Sequence, residues 1–138
     1  MNVLEEAIYD ALAANTALTA VVPASRIYRG AAPQGATLPY LVIVLQAGGD
    51  DNLTPVDSVD LLYQVRSVSE VSVDEAGDID ELVRPVLHKA TLTVSGGWTN
   101  YWSSREREIR HTETDDQDLG TGLRRYHGGA LYRFRLDK

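Results

Sequence analysis

Apolar residues recur at helical spacing from the start of the chain. Val3, Leu4, Ala7, Ile8, Ala11 and Leu12 line one helix face, and Glu5 and Glu6 stand where the positive end of the helix dipole favours carboxylates. Asn2 is placed to cap this helix, and Asn15 to end it, because asparagine tolerates the left-handed conformation at a helix C-terminus. A second short turn through Leu18–Val22 precedes Pro23. From there to Pro39 the chain reads as loop, punctuated by Gly30, Pro33, Gly35 and Pro39, with a short strand at Arg26–Arg29.

Tyr40–Gln46 is a continuous apolar run, too short for an independent helix and rich in β-branched residues, which predicts a central strand buried on both faces. A polar turn around Gly48–Asn52 follows. Val59, Leu61, Tyr63 and Val65 then alternate with period two, so an antiparallel hairpin is the economical topology. Ser72 and Glu75 form a capping box in front of Ala76, Ile79, Leu82, Val83, Val86, Leu87 and Ala90, a second amphipathic helix in which Pro85 predicts either a kink or an irregular continuation beyond it.

Three further strands are predicted at Thr91–Ser95, Tyr101–Thr112 and Arg125–Leu136. The last places Tyr126, Gly128, Ala130, Tyr132, Phe134 and Leu136 on one face, and Arg125, His127, Leu131, Arg133 and Arg135 on the other. Between the final two strands lies an acidic, glycine-containing loop, Glu113–Leu123, expected to stay mobile until a partner orders it. The sum is one α+β domain over residues 1–138: a mainly antiparallel sheet with two amphipathic helices packed against it.

Composition supports a folded domain, since 43% of the residues are hydrophobic and 24% charged. Cysteine is absent, which removes disulfides and thiolate metal sites. The first ten residues are acidic and amphipathic, unlike a secretory signal, and no apolar run reaches bilayer-spanning length. We therefore expect a soluble protein without a membrane partner. The formal charge of −7 is concentrated in residues 1–104, and residues 105–138 are nearly balanced. Such a chain lacks the concentrated basic face that grips nucleic acid by counterion release.

The chemistry expected of an enzyme is missing. His88, His111 and His127 form no i,i+3 or i,i+4 pair, so each is expected to be solvated or hydrogen-bonded rather than a metal ligand. Asp115, Asp116 and Asp118 near Gly120 lack the ligand spacing and closing glutamate of a calcium loop. Gly120-Thr121-Gly122 lacks the third glycine and the strand and helix of a dinucleotide site. Neither a phosphate-binding lysine motif nor a serine elbow is present. No cofactor or metal is expected, and the reading is of a protein that binds other proteins.

Trp98, Tyr101 and Trp102 cluster beside Arg105 and Arg107. Aromatic and arginine side chains are enriched at interfaces, which makes these five candidates for subunit contact, although tryptophans beside a strand also serve as ordinary core. Arginines alternating with glutamates in this region suit cross-strand or intersubunit ion pairs better than a phosphate track.

The order of the N-terminal pieces carries a resemblance. The opening helix is followed by Ala17-Leu18-Thr19-Ala20-Val21-Val22, then Arg26-Ile27-Tyr28, Ala32-Pro33-Gln34-Gly35-Ala36 and Leu38-Pro39-Tyr40-Leu41-Val42-Ile43. This series resembles the start of the phage tail-terminator, or tail-completion, family involved in head-to-tail joining. The strand around Tyr63-Gln64-Val65-Arg66, the capped second helix and the ending Arg125-Tyr126-His127-Gly128-Gly129-Ala130-Leu131-Tyr132 fit it in pattern. Pro85 and the charged stretch Arg105–Asp118 depart from it.

The resemblance implies a structural virion protein, assembled in the bacterial host cytoplasm, that forms a hexameric ring at the head-proximal end of the tail. Its implied partners are copies of itself, the major tail tube protein and the head-tail connector, with genomic DNA passing through the lumen without sequence-specific binding. Exposed edge strands are then expected to be partnered in the ring. Asp115, Asp116 and Asp118 become candidates for a lumen loop, and Asp50, Asp51, Leu53 and Pro55 for contact with tube or connector. Two rival readings stand beside it: another head-tail connector protein of the stopper type, and a small α+β ligand-binding domain or enzyme. The second requires a deep pocket with convergent polar groups.

Overall fold

The alternating segment Ser58–Ser69 becomes the middle strand, β3, because its apolar residues fill one face while both its edges find partners. In the computed structural model, which describes residues 1–51, 57–114 and 124–138, the order of elements is α1 (Asn2–Ala13), α2 (Thr16–Thr19), β1 (Ile27–Arg29), β2 (Tyr40–Asp50), β3, α3 (Val73–Leu87), β4 (Thr99–Thr114) and β5 (Arg124–Asp137). The sheet runs β1-β2-β3-β5-β4, parallel only between β1 and β2. The fold is α+β, as expected, and the hairpin β2–β3 is antiparallel.

Helices α1 and α3 cover one face. Leu4, Ile8 and Leu12 of α1 and Ile79, Val83 and Leu87 of α3 are buried against Val59, Leu61, Tyr63 and Val65 of β3 and Ala130, Tyr132, Phe134 and Leu136 of β5. Each such aliphatic side chain contributes about 1.5–3 kcal/mol through removal from water. Tyr63 ties α1 to the sheet: its hydroxyl donates to Glu5 Oε2 at 3.1 Å and its ring meets Phe134 edge-on at 6.2 Å. Burial, reinforced by Glu5, holds the Tyr63 phenol well above the ordinary tyrosine range. At the other end α3 approaches β5 so closely that a Cβ on Gly128 would lie 3.1 Å from the Ala76 carbonyl. Ser67 Oγ sits there 2.8 Å from Ala76 O and 2.7 Å from Gly128 O, its one proton serving either carbonyl.

Among the described residues, the opposite face is covered near β1. Tyr40, Val42 and Val68 form a small second cluster there, over which Tyr28, Ala32, Ala36 and Leu38 pack.

Several local expectations are corrected. Thr91–Ser95 is not a strand. Leu92 is buried and Val94 half-buried, but the Leu92 N–H donates to Asn100 Oδ1, and Lys89, Gly96 and Gly97 take positive φ, which prevents a ladder. Only Tyr40–Ile43 of β2 is buried on successive positions; beyond Val44 the strand is exposed and continues through the expected turn to Asp50, with a bulge between Leu45 and Ala47. Gly48 suits that bulge, since its φ is 123° and a Cβ would lie 2.3 Å from Asp60 O. Met1, without a side-chain bond, caps α1, and Asn15 instead caps α2 by accepting from Leu18 N at 2.9 Å. Half of the capping box forms: Ser72 Oγ accepts from Glu75 N, but the Glu75 carboxylate takes the Ser69 hydroxyl. Of the two outcomes expected at Pro85, the helix continues: α3 runs on to Leu87 with Pro85 on its exposed side.

Asp80 points from α3 into the sheet and accepts from Arg105 Nη2 of β4 at 2.6 Å, with side-chain exposures of 1% and 7%. Loss of solvent raises the Asp80 pKa, an effect that outweighs the favourable charge of Arg105. Replacing Arg105 by Ala strands the buried carboxylate and is expected to cost about 3–5 kcal/mol in urea unfolding, whereas the double variant Asp80→Leu/Arg105→Met should be neutral or more stable. Two histidines set an acid limit. Burial lowers the pKa of both, while His88 Nδ1 accepts from Arg105 N and His127 contacts Glu113. With depressed folded pKa values, their contribution is present above the ordinary value of about 6.5 and is lost as pH falls through the depressed values. The urea midpoint should therefore fall between about pH 7.5 and about pH 5, and less steeply in a His88→Gln/His127→Gln variant.

Candidate functional site

The face of the sheet away from the helices carries a charge network across three strands. Arg133 on β5 lies between Asp60 of β3, which accepts from its Nη1 at 2.7 Å, and Glu106 of β4, which accepts from its Nε. Arg135 Nε donates to the other Asp60 oxygen at 3.2 Å, and its guanidinium lies 5.8 Å from the Trp102 ring centre. The pairing explains the alignment: Asp60, Arg135 and Trp102 stand in one row, and Leu62, Arg133 and Ser104 in the next. These exposed pairs contribute little stability each, so their consequence is a polar surface braced across three strands.

The sequence candidates divide. Trp98 packs half-buried on the core with the Lys138 ammonium 5.5 Å away, and Arg105 turns inward to Asp80. Tyr101 and Trp102 are about half exposed, at 52% and 50%, and Arg107 is exposed beyond a bulge between Arg105 and Arg107. Tyr101 and Trp102 border a shallow groove of about 250 Å³ with Lys89, Ala90 and Thr91. Asp50 and Asp51 are exposed at the end of β2. Leu53, Pro55, Asp115, Asp116 and Asp118 lie outside the described residues.

A second groove, of about 340 Å³, has Val21, Pro39, Ile79 and Leu82 as an apolar floor and Glu75 and Asp78 at its polar rim. It is suited to seat an apolar side chain beside a cation. Among the described residues, no group of three or more His, Cys, Asp or Glu side chains is placed to hold a metal, and no helix is long and apolar enough to cross a membrane.

Sequence spacing missed one cluster. His111 and His127 are paired across β4 and β5, with rings stacked 4.1 Å apart and 8° from parallel, and His127 Nε2 lies 3.0 Å from Glu113 Oε2. The register of the hairpin is the signal that would have found it, since sixteen residues separate the two in the chain. Burial holds the His127 pKa down, the Glu113 hydrogen bond pulls the other way, and His111 and Arg66 add to the depression. With a carboxylate on one side and a stacked ring on the other, the pair braces the far end of the hairpin.

No curated protein matches the sequence. Among solved structures, a chain described as "Virion of native gene transfer agent (GTA) particle" shares the fold, with a TM-score of 0.72 over 99% of this chain and 96% of that one at 16% identity. The family model described as "Tail completion protein gp17" matches residues 6–130, and the chain accordingly belongs to that tail-completion family.

Proposed function

We propose that this protein is a structural component of a phage-like virion that closes the head-proximal end of the tail as a hexameric ring. The observation that carries the reading is the family match across residues 6–130; the shared fold with a chain from a virion particle supports it. The mechanism is assembly. A tube grows because each ring offers its successor the same heterologous surface; a terminating ring fits the tube on one side and presents a different surface on the other, where the head connector docks. Assembly in the bacterial host cytoplasm accompanies this role.

Within the ring, Tyr101, Trp102 and Arg107 are the outward candidates for subunit contact, with Trp98 and Arg105 holding the strand behind them. Asp51, Leu53 and Pro55, which lie between β2 and β3 in the chain, are proposed to meet the tube or connector. Asp115, Asp116 and Asp118 are proposed to face the lumen, where negative charge keeps passing DNA from adhering.

Electron microscopy of the purified protein mixed with matching tail tubes tests this. Six-fold rings that cap one tube end and halt elongation are expected; rings bound only to the portal side would transfer the protein to the stopper class, and failure to associate with either would end the proposal. Reversing the three aspartates to lysine should leave ring formation unchanged but create salt-sensitive retention of double-stranded DNA, with a steep loss between about 50 and 200 mM salt.

A further inference from the structure

Among the described residues, the fold covers half of each outer sheet edge and leaves the other half bare. On the β2 side, β1 pairs only with Leu41–Ile43, and Gly30 N donates to Ile43 O; among the described residues nothing lies along the edge from Leu45 to Asp50, and all six of these residues are exposed. On the β4 side, the segment after α3 closes the edge near Ser103 and Arg105, through Lys89 N to Ser103 O and Arg105 N to His88 Nδ1. Beyond the bulge at Arg105/Arg107 the edge from Arg107 to Glu113 has no backbone partner among the described residues. A strand edge with unpaired N–H and C=O groups is a template for another strand, and folded proteins ordinarily cover it.

We infer that these two bare edges pair with each other between neighbouring copies, β2 of one subunit adding to β4 of the next. This rests on the ring reading above and specifies its lateral contact. Three features of the geometry support it. β2 and β5 both run antiparallel to β3, and β4 runs antiparallel to β5, so copies set side by side in the same orientation bring β2 against β4 antiparallel. Matched over their full overlap, Leu45–Asp50 lies against Arg107–Thr112, which sets Asp50 opposite Arg107. Neither has an ion pair among the described residues. The β2 segment is also small where approach is needed, with Ala47, Gly48 and Gly49 in succession.

The bare edges lie at opposite ends of the sheet. Their offset is about five to six residues, or roughly 18 Å at the rise of a β-strand, while the four strands from β2 to β4 span roughly 19 Å. Zero net rise around a ring then requires strands inclined by roughly 40° to the ring axis, within the tilt of about 35–45° at which sheets close on themselves. Heterologous pairing of this kind closes a ring, whereas pairing of like edges stops at a dimer.

The cysteine-free chain allows a direct test. In the proposed register Gly49 faces Glu108 of the neighbour, and a Cβ at Gly49 meets nothing within 4 Å. Mild oxidation of the full-length Gly49→Cys/Glu108→Cys variant is expected to give a ladder of covalent species above the dimer on non-reducing gels, with none from either single variant. Asp50→Lys and Arg107→Asp should each weaken assembly about three-fold or more at low salt, and their combination should restore it. Covalent dimers from a single-cysteine variant would show that like edges pair and would overturn the inference. Six-fold rings in micrographs of the double variant without cross-edge disulfides would overturn it while leaving the ring reading intact. Absence of any assembled species, in parent and variants alike and in the presence of tail tubes, would overturn both.

Discussion

The middle strand must satisfy two demands at once, and the rest of the molecule is arranged around that. The backbone of β3 is paired with β2 from Val59 to Val68 and with β5 from Ser58 to Ser69, while its helix-facing side chains require a cover. Val59, Leu61, Tyr63 and Val65 receive that cover from α1 and α3. Tyr63 is the most demanding of them, since its ring is fully buried while its hydroxyl needs a partner. Glu5 supplies one, which fixes where α1 crosses the sheet. The Asp80–Arg105 pair does the equivalent for α3 and β4, at the cost of desolvating two charges.

A sheet organised from its centre outward leaves its difficulties at the rims. β1 is too short to cover β2, and the segment after α3 reaches only the first part of β4. Both bare stretches begin beside a bulge, where local twist changes and the ladder is interrupted. In a chain that acts alone such edges invite aggregation, which is why folded proteins ordinarily cover them. On the face away from the helices, Arg133 and Arg135 bridge Asp60 and Glu106 and brace β3, β4 and β5 in register.

Much of the architecture was readable in the chain because it follows from short-range periodicity. The helical repeat of α1 and α3, the alternation in β3 and β5, and the Ser72 cap each rest on residues within a few positions of one another. The final strand's division into a buried face ending in Phe134 and Leu136 and a charged face with Arg133 and Arg135 is a direct product of the pleat. The false strand at Thr91–Ser95 shows the limit: alternating Leu92 and Val94 do seek the core, but a strand also requires a free edge, and Asn100 takes the N–H at that position.

Tertiary structure alone decided the long-range pairings. The sequence places Arg105 among exposed alternating charges, yet the register of β4 aims it at Asp80 across 25 residues of chain; His111 and His127 meet for the same reason. Which half of each sheet edge stays bare likewise depends on the reach of β1 and of the segment after α3. What the sequence determined by itself was most of the elements and the faces they bury, because local periodicity encodes them, while the family was legible only as a resemblance in the order of the N-terminal motifs. What only the fold decided was which side chains meet and which strand edges remain open, because those depend on register between segments far apart in the chain.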